Sequence, residues 1–208
     1  MNQTDPNNLL DQLRIAQLLQ NWCTWRDGGD WESLRTCYTP DATMVTSWYD
    51  GTACGFIDAS LQGRKRQPTD RGAHHVYGGT TVHVQDDRAT AETRITLLLR
   101  GMAHEKLVDV TLYLRFFDCL HMTQGQWQIR SRKGIYDRDS LRVVDPGDTI
   151  VLDPQELAKY PIGYRHLAYV QAQEGANINL SIPGPYSDGE QVIYAEGATW
   201  LDGQINSA

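Results

Sequence analysis

Two adjacent imidazoles, His74 and His75, stand at the head of Val76–Tyr77–Gly78–Gly79–Thr80, a stretch that otherwise reads as strand. A neutral imidazole titrates near working pH, so it can take a proton from carbon or oxygen and return it elsewhere. Successive strand residues point to opposite faces, so one histidine can look into a pocket while the other looks away. Either one alone also fits a satisfied structural histidine. Asp27, just before Gly28–Gly29, has two readings as well. It is a helix-end residue, or a carboxylate that fixes an imidazole's tautomer and stabilises the imidazolium. A histidine–carboxylate pair suits eliminations, in which one proton leaves and hydroxide, halide or formaldehyde departs.

Other chemistries find little support. There is no H-x-H or H-x-x-x-H with a partner acid, and Cys23, Cys37, Cys54 and Cys119 contain no C-x-x-C, so no metal is expected. The cysteines read as free thiols in a reducing cytoplasm, although spacing alone leaves a disulfide open. Without G-x-G-x-x-G, a P-loop or G-x-S-x-G, neither a nucleotide cofactor nor a serine hydrolase is expected. A net charge of −7 opposes a phosphate backbone, and Arg64–Lys65–Arg66 with Arg71 reads as a solvated helix end. No apolar run reaches the roughly 20 residues that cross a bilayer. Met1 to Leu10 is not basic-then-apolar, so no signal peptide is expected and a cytoplasmic location is.

The elements that must position these residues follow from periodicity. Leu9, Leu13, Ala16, Leu19 and Cys23 recur at helical steps after Asp5–Pro6, until Gly28–Gly29 breaks the pattern. Asp30 can cap a second helix through Trp31, Leu34 and Tyr38, which Pro40–Asp41 ends. Thr43 to Tyr49 turns β-like, Asp50–Gly51 turns, and residues 55 to 66 suit a short helix. Extended runs then cover Val76–Val84, Ala89–Arg100, Leu107–Leu120 and Gln126–Tyr136, separated by turn residues, as in an antiparallel meander. Helices followed by strands indicate an α+β fold. The run from Leu107 alternates, with Asp109, Thr111, Tyr113 and Arg115 on one face. That polar row faces water or lines a pocket, and the pattern leaves both open. Beyond Asp139 the chain is broken by prolines, with a helix expected over Tyr164–Gln173, an extended Ile178–Ile182, and apolar patches at Val192–Tyr194 and Trp200–Leu201. This tail is too apolar for disorder and too broken for its own core, so it is expected to wrap the main domain or a neighbouring subunit.

The opening Trp25–Arg26–Asp27–Gly28–Gly29–Asp30–Trp31, the later Tyr38–x–Pro40–Asp41–Ala42 and the closing Gly125–Gln126–Trp127–Gln128–Ile129–x–x–Arg132 resemble SnoaL-like proteins of the nuclear transport factor 2-like superfamily. His75–Val76–Tyr77–Gly78–Gly79–Thr80 resembles the H-x-x-G-G-T stretch of scytalone dehydratase. The resemblance spans roughly residues 8 to 138. It implies a cone: a strongly bent antiparallel sheet around a pocket, closed by the N-terminal helices. In the scytalone dehydratase and hexachlorocyclohexane dehydrochlorinase branches a sheet histidine is the base and an aspartate ending the first helix orients it. Those roles fall on His75 and Asp27, with His74 the runner-up, and a second histidine falls on His104. The tyrosines that hold a water in scytalone dehydratase do not carry over. Arg26 stands at one position and Ser47 or Trp48 at the other, with Tyr49, Tyr77 and Tyr113 as substitutes.

The expectation is therefore a SnoaL-like cone over residues 1–138 with an extension over 139–208. Its activity would be that of a cofactor-independent lyase, losing water or formaldehyde from a small aromatic or cyclic hydroxylated substrate, as in aromatic and lignin-fragment catabolism. His75 and Asp27 would be catalytic, and His104, Tyr49, Tyr113, Trp25, Trp48 and Arg115 would bind. Relatives imply a homotrimer first and a dimer second, with no nucleic-acid or membrane partner. Two other readings stand beside it: a hydrolase or isomerase on the same fold, and a non-catalytic binding or scaffolding module.

Overall fold

The computed structural model describes residues 6–203. Helix α1 (Pro6–Gly28) starts on a proline, which tolerates the first turn; the expected Asp5 cap lies outside the described residues. Its buried face is Ile15, Leu19, Trp22 and Cys23, while Leu9 and Leu13 are 58% and 60% exposed. Apolar residues stand on several sides of this helix, so period alone pointed partly to the wrong stripe. Asp30 caps α2 (Trp31–Thr36) by accepting the Ser33 N–H at 3.1 Å. Strand β1 (Tyr38–Val45) then takes in Pro40, which was expected to end a helix instead. The proline is tolerated because it falls where pairing with the neighbouring strand is interrupted, between Tyr38 and Thr43.

Strand β2 (Asp50–Thr52) leads into α3 (Ala53–Arg66), capped by the Thr52 hydroxyl. Four long strands follow: β3 (Gly72–Gln85), β4 (Arg88–Ala103), β5 (Lys106–Thr123) and β6 (Gln126–Val143). The sheet runs β2-β1-β6-β5-β4-β3, with neighbours antiparallel except the parallel pair β1 and β6. It is curved and does not close. Bulges bend it, one at Gly78–Gly79 in β3 and two between β5 and β6. The β4–β5 turn puts both His104 and Glu105 at positive φ, the geometry of a tight hairpin. The core lies on the concave face, where Leu97, Leu112, Leu114, Phe116 and Ile129 meet α1 and α3.

Strand β6 continues past residue 138 to Val143, paired with Val108, so the sheet extends into the expected extension. Beyond it come α4 (Pro154–Leu157), α5 (Arg165–Gln173) and α6 (Asp188–Leu201). Helix α5 buries Leu167 to Gln171 and packs on β4, β5 and β6 of its own chain. Its N-cap, Tyr164, gives the helix no side-chain capping bond, its hydroxyl donating to the Asn179 carbonyl instead; Asp139 of β6 supplies the missing acceptor, taking the Leu167 N–H at 2.8 Å and His166 Nδ1 at 2.7 Å. Helix α6 lies against β4 and β5, where the sequence showed only two apolar patches. Gly189 and Gly197 disguise it. At Gly197 a Cβ would stand 2.5 Å from Phe117, so the glycine is there for close approach to the sheet. Ile178–Ile182 joins no strand, but Asn179 donates its N–H to the Ser47 carbonyl at 2.8 Å.

Candidate active site

The last turn of α1 and the first half of β3 bring Asp27 and His75 together. Asp27 Oδ1 lies 2.7 Å from His75 Nδ1, and its other oxygen accepts the His75 backbone N–H. One carboxylate thus grips both ring and main chain. A carboxylate can only accept, so Nδ1 carries the proton and Nε2 is left as the acceptor. The His75 side chain is 9% exposed and Asp27 13%. His74, one residue earlier, is exposed on the opposite face of the strand. The choice between the two histidines rests on the bulge: His75 and Thr80 have opposite parity yet pair with Leu97 and buried Thr93, on the concave side.

Aromatic edges hold the imidazole. Its centroid is 5.3 Å from that of Trp22 and 6.4 Å from that of Phe116. Both rings rest on the Arg132 guanidinium, whose Cζ is 4.3 Å and 4.6 Å from their centroids. Arg132 donates two fully buried hydrogen bonds to the Asp118 carboxylate, at 2.7 and 2.9 Å. Burial is the largest influence on His75; it outweighs the pull of Asp27 and, with Arg26 and Arg132, holds the imidazole below its usual pKa. For Asp27 burial pushes upward, but the bonds and charge of His75, then Arg26, hold the carboxyl below its usual value. The pair therefore reads as neutral imidazole and carboxylate at neutral pH.

Around His75 lies a cavity of about 30 Å³, walled by Trp22, Met44, Trp48, Phe56, Leu97, Leu114 and Phe116. Its polar lining is Arg26, Thr46, Ser47, Tyr136 and Gln171. That space holds one or two waters, so the site is closed. Gln171 comes from α5 in the tail and accepts the Ser47 hydroxyl at 2.8 Å. Tyr136 Oη accepts the Ser47 N–H at 3.2 Å.

Of the expected binding residues, only Trp48 lines this cavity, packed on Phe56 at 5.4 Å. Trp25 is half-buried against the core without lining it. Tyr49 packs on Phe56, but its hydroxyl turns away to the Thr52 carbonyl at 3.0 Å. Tyr77 bonds Thr80 across the bulge at 2.7 Å. Tyr113 and Arg115 lie away from this cavity, because the apolar row of β5 takes the concave side. Tyr113 is 43% exposed. Arg115 is held by Glu190 at 2.7 Å, Asp137 at 3.2 Å and the Tyr194 hydroxyl at 2.7 Å. Both border a wider, open cleft of about 640 Å³ beside α6, which contains no histidine. His104 is likewise outside the cavity, since it forms the hairpin turn and its Nε2 meets the Tyr169 hydroxyl at 2.6 Å. Tyr136 and Gln171 escaped the sequence reading. Gly134–Ile135–Tyr136 carries no motif, and nothing in the tail's pattern says which face of α5 meets the cone. Among the described residues no three His, Cys, Asp or Glu side chains gather as a metal site.

Comparison with known proteins bears on the fold. A "Pea pathogenicity protein 2" from Fusarium vanettenii is 29% identical, over 96% of this chain and 89% of that protein. The crystal structure of a scytalone dehydratase-like protein from Novosphingobium aromaticivorans superposes with a TM-score of 0.55 at 17% identity, covering 69% of this chain and 97% of the other. A hexachlorocyclohexane dehydrochlorinase superposes with a TM-score of 0.50 at 12% identity, covering 70% and 96%. These likenesses to solved structures show a shared fold. Residues 7–133 match the SnoaL-like domain, well over half the chain, and the protein belongs to that family.

Proposed function

We propose that this chain is a cofactor-independent lyase acting on a small aromatic or cyclic hydroxylated molecule by elimination of water or formaldehyde. The observation that carries the reading is the gripped imidazole: Asp27 fixes the proton on Nδ1 and leaves Nε2 of a neutral His75 as base inside a closed, largely apolar cavity. For loss of water, His75 Nε2 takes a proton from carbon, the C–O bond breaks, and the imidazolium returns the proton to the departing hydroxide. For loss of formaldehyde, Nε2 takes the hydroxymethyl O–H proton, the C–C bond breaks, and the imidazolium protonates the carbon left behind. Asp27 stabilises the transient imidazolium, and exclusion of water strengthens that interaction. A ring needs more room than this cavity gives, so one of its walls must move to admit the substrate.

The reading extends to a cytoplasmic homo-oligomer, a trimer before a dimer, in which the half-exposed Val76, Leu98 and Tyr113 offer an apolar patch for a neighbouring copy. Incubating the purified chain, without added metal or nucleotide, against a panel of hydroxylated aromatic and cyclic compounds tests the chemistry by product mass. Loss of water or formaldehyde, abolished in His75→Ala, is the expected result. Turnover that survives both His75→Ala and Asp27→Asn sinks the proposal and moves the binding-module reading forward.

A further inference from the structure

Among the described residues, Arg26 is the one cation on the lining of the closed cavity. Its Nε is buried and meets no acceptor. Asp27 stands beside it, but 3.8 Å from Nη1 is beyond hydrogen-bond reach, and both Asp27 oxygens already bond His75. Burial lowers the Arg26 pKa; Asp27 offsets part of that, and the charge of Arg64 adds to it.

Two rows of side chains run out from the cavity towards this arginine. On α1, Arg26 follows Trp22 by one turn. On α3, Ser60 and Arg64 follow Phe56 at steps of four, on the face that stacks Phe56 on Trp22 with centroids 6.4 Å apart. Ser60 is 6% exposed and its hydroxyl has no partner. The Arg64 guanidinium reaches the start of β3, where a Cβ on Gly72 would stand 2.9 Å from its Nη1. Arg71, next in the chain, has a second guanidinium Nε buried without a partner. Neither Arg64 nor Arg71 has an ion pair among the described residues, and the charge of Asp70 acts on Arg100 of β4. Three arginines thus gather against Asp27 alone, in a chain whose net charge is −7. Buried donors left unmade are costly, and such orphans mark a place where an ion or water belongs. The surplus of positive charge selects an anion.

From these orphaned donors we infer that the seam between the ends of α1 and α3 binds a carboxylate on the substrate, with Arg26 and Arg64 as its partners, backed by Ser60 and Arg71. A guanidinium fork matches a planar carboxylate, and the nearby Asp27 disfavours a dianion. The site lies at the rim of the cavity: Arg64 is exposed and the Arg26 side chain is 18% exposed, so a small anion reaches it without displacing a wall. The inference rests on the lyase reading for His75 as base, and it names the substrate class as a hydroxylated aromatic or cyclic acid.

The test uses matched probes on the full chain: formate, and formamide, which has nearly the same size and shape without the charge. Binding is followed at constant ionic strength through the arginine Nε–H resonances in protein-observed NMR. Formate is expected to bind about tenfold tighter, the worth of one charge-assisted hydrogen bond. Arg26→Gln removes most of that preference. Arg64→Gln, on an exposed helix end where folding is not at stake, removes part of it. Arg66→Gln leaves it intact, because that guanidinium bonds the Gln62 carbonyl of its own helix. Inorganic phosphate binds no tighter than formate. Equal binding of formate and formamide, a preference that survives both Arg26→Gln and Arg64→Gln, or an equal loss in Arg66→Gln overturns the inference, as does tighter binding of phosphate. His75→Ala keeps the preference for formate. A chain that shows the preference but eliminates nothing therefore counts against the lyase reading alone, and one that ignores formate yet eliminates from neutral substrates counts against this site alone.

Discussion

The molecule contains two histidine–aspartate pairs of nearly the same geometry, His75–Asp27 and His166–Asp139. In each, Nδ1 lies 2.7 Å from a carboxylate oxygen, and the second oxygen accepts a main-chain N–H. Their settings differ. His75 stands between Trp22 and Phe116 on the wall of a cavity, whereas His166 occupies the first turn of a helix and lines neither the cavity nor the open cleft described above. Asp139 is the more buried carboxylate of the two, with a side chain 1% exposed against 13% for Asp27. A dyad distance therefore says nothing of chemistry by itself. What the other ring nitrogen meets decides. Asp139 acts as a cap supplied from the sheet, and its effect is to set α5, and hence Gln171, against the cavity.

This contrast can be broken or sharpened by experiment. His75→Ala should cost about 10²- to 10⁴-fold in elimination rate, measured under single-turnover conditions, with little loss of helix content by circular dichroism. The counterpart, His166→Ala, should leave the rate within a few-fold; an equal loss in both would erase the distinction drawn here. Asp139→Ala should lower stability in urea by about 1–3 kcal/mol, because the Leu167 N–H and the His166 ring both lose a charged acceptor. The α5 amides should then exchange faster than those of β5. A comparable effect from Asp27→Ala on α5 exchange would show that the two pairs are coupled after all.

The pH dependence is a smaller effect. The folded imidazole of His75 titrates below its unfolded value of about 6.5, so the unfolded chain takes up the proton first. Its contribution to stability is present above pH 6.5 and is lost as pH falls from there towards the folded value. The elimination rate should stay flat across neutral pH and fall only on the acid side, and His75→Ala should remove the corresponding acid limb from the stability profile. Smallest of all, Leu13→Gln on the exposed side of α1 should change stability by no more than about 0.5 kcal/mol. A larger loss would mean that another surface covers this helix.

Much of the cone was legible because its signals are local. Asp30 as cap, the turn residues between strands and the alternation of β5 all act within a few positions, and the sheet histidine and helix-end aspartate sit in contiguous motifs. The polar lining of the cavity was not legible, because it is assembled from distant pieces. Tyr136 and Gln171 meet Ser47 across separations of 89 and 124 residues, and no periodicity links them. The expected binding residues that stand away from the cavity do so for identifiable reasons. Tyr113 and Arg115 lie on a row whose alternation fits either face, and His104 is held in a turn conformation. Helix α6 was hidden by glycines that tertiary packing demands, a case of context overriding propensity.

The extra residue that β3 carries at Gly78–Gly79 has a bearing on mutational tolerance. Point substitutions along this strand alter one side chain at a time. Removal of a single codon at the bulge would force one half of the strand to slide by a position and exchange its two faces. Either Thr80 would leave Thr93, or His75 would turn outward and present His74 to Trp22 in its place. The identity of the base is thus encoded in the length of the strand as well as in its letters. In a deletion scan this strand should be sensitive at positions where an alanine scan finds nothing to remove.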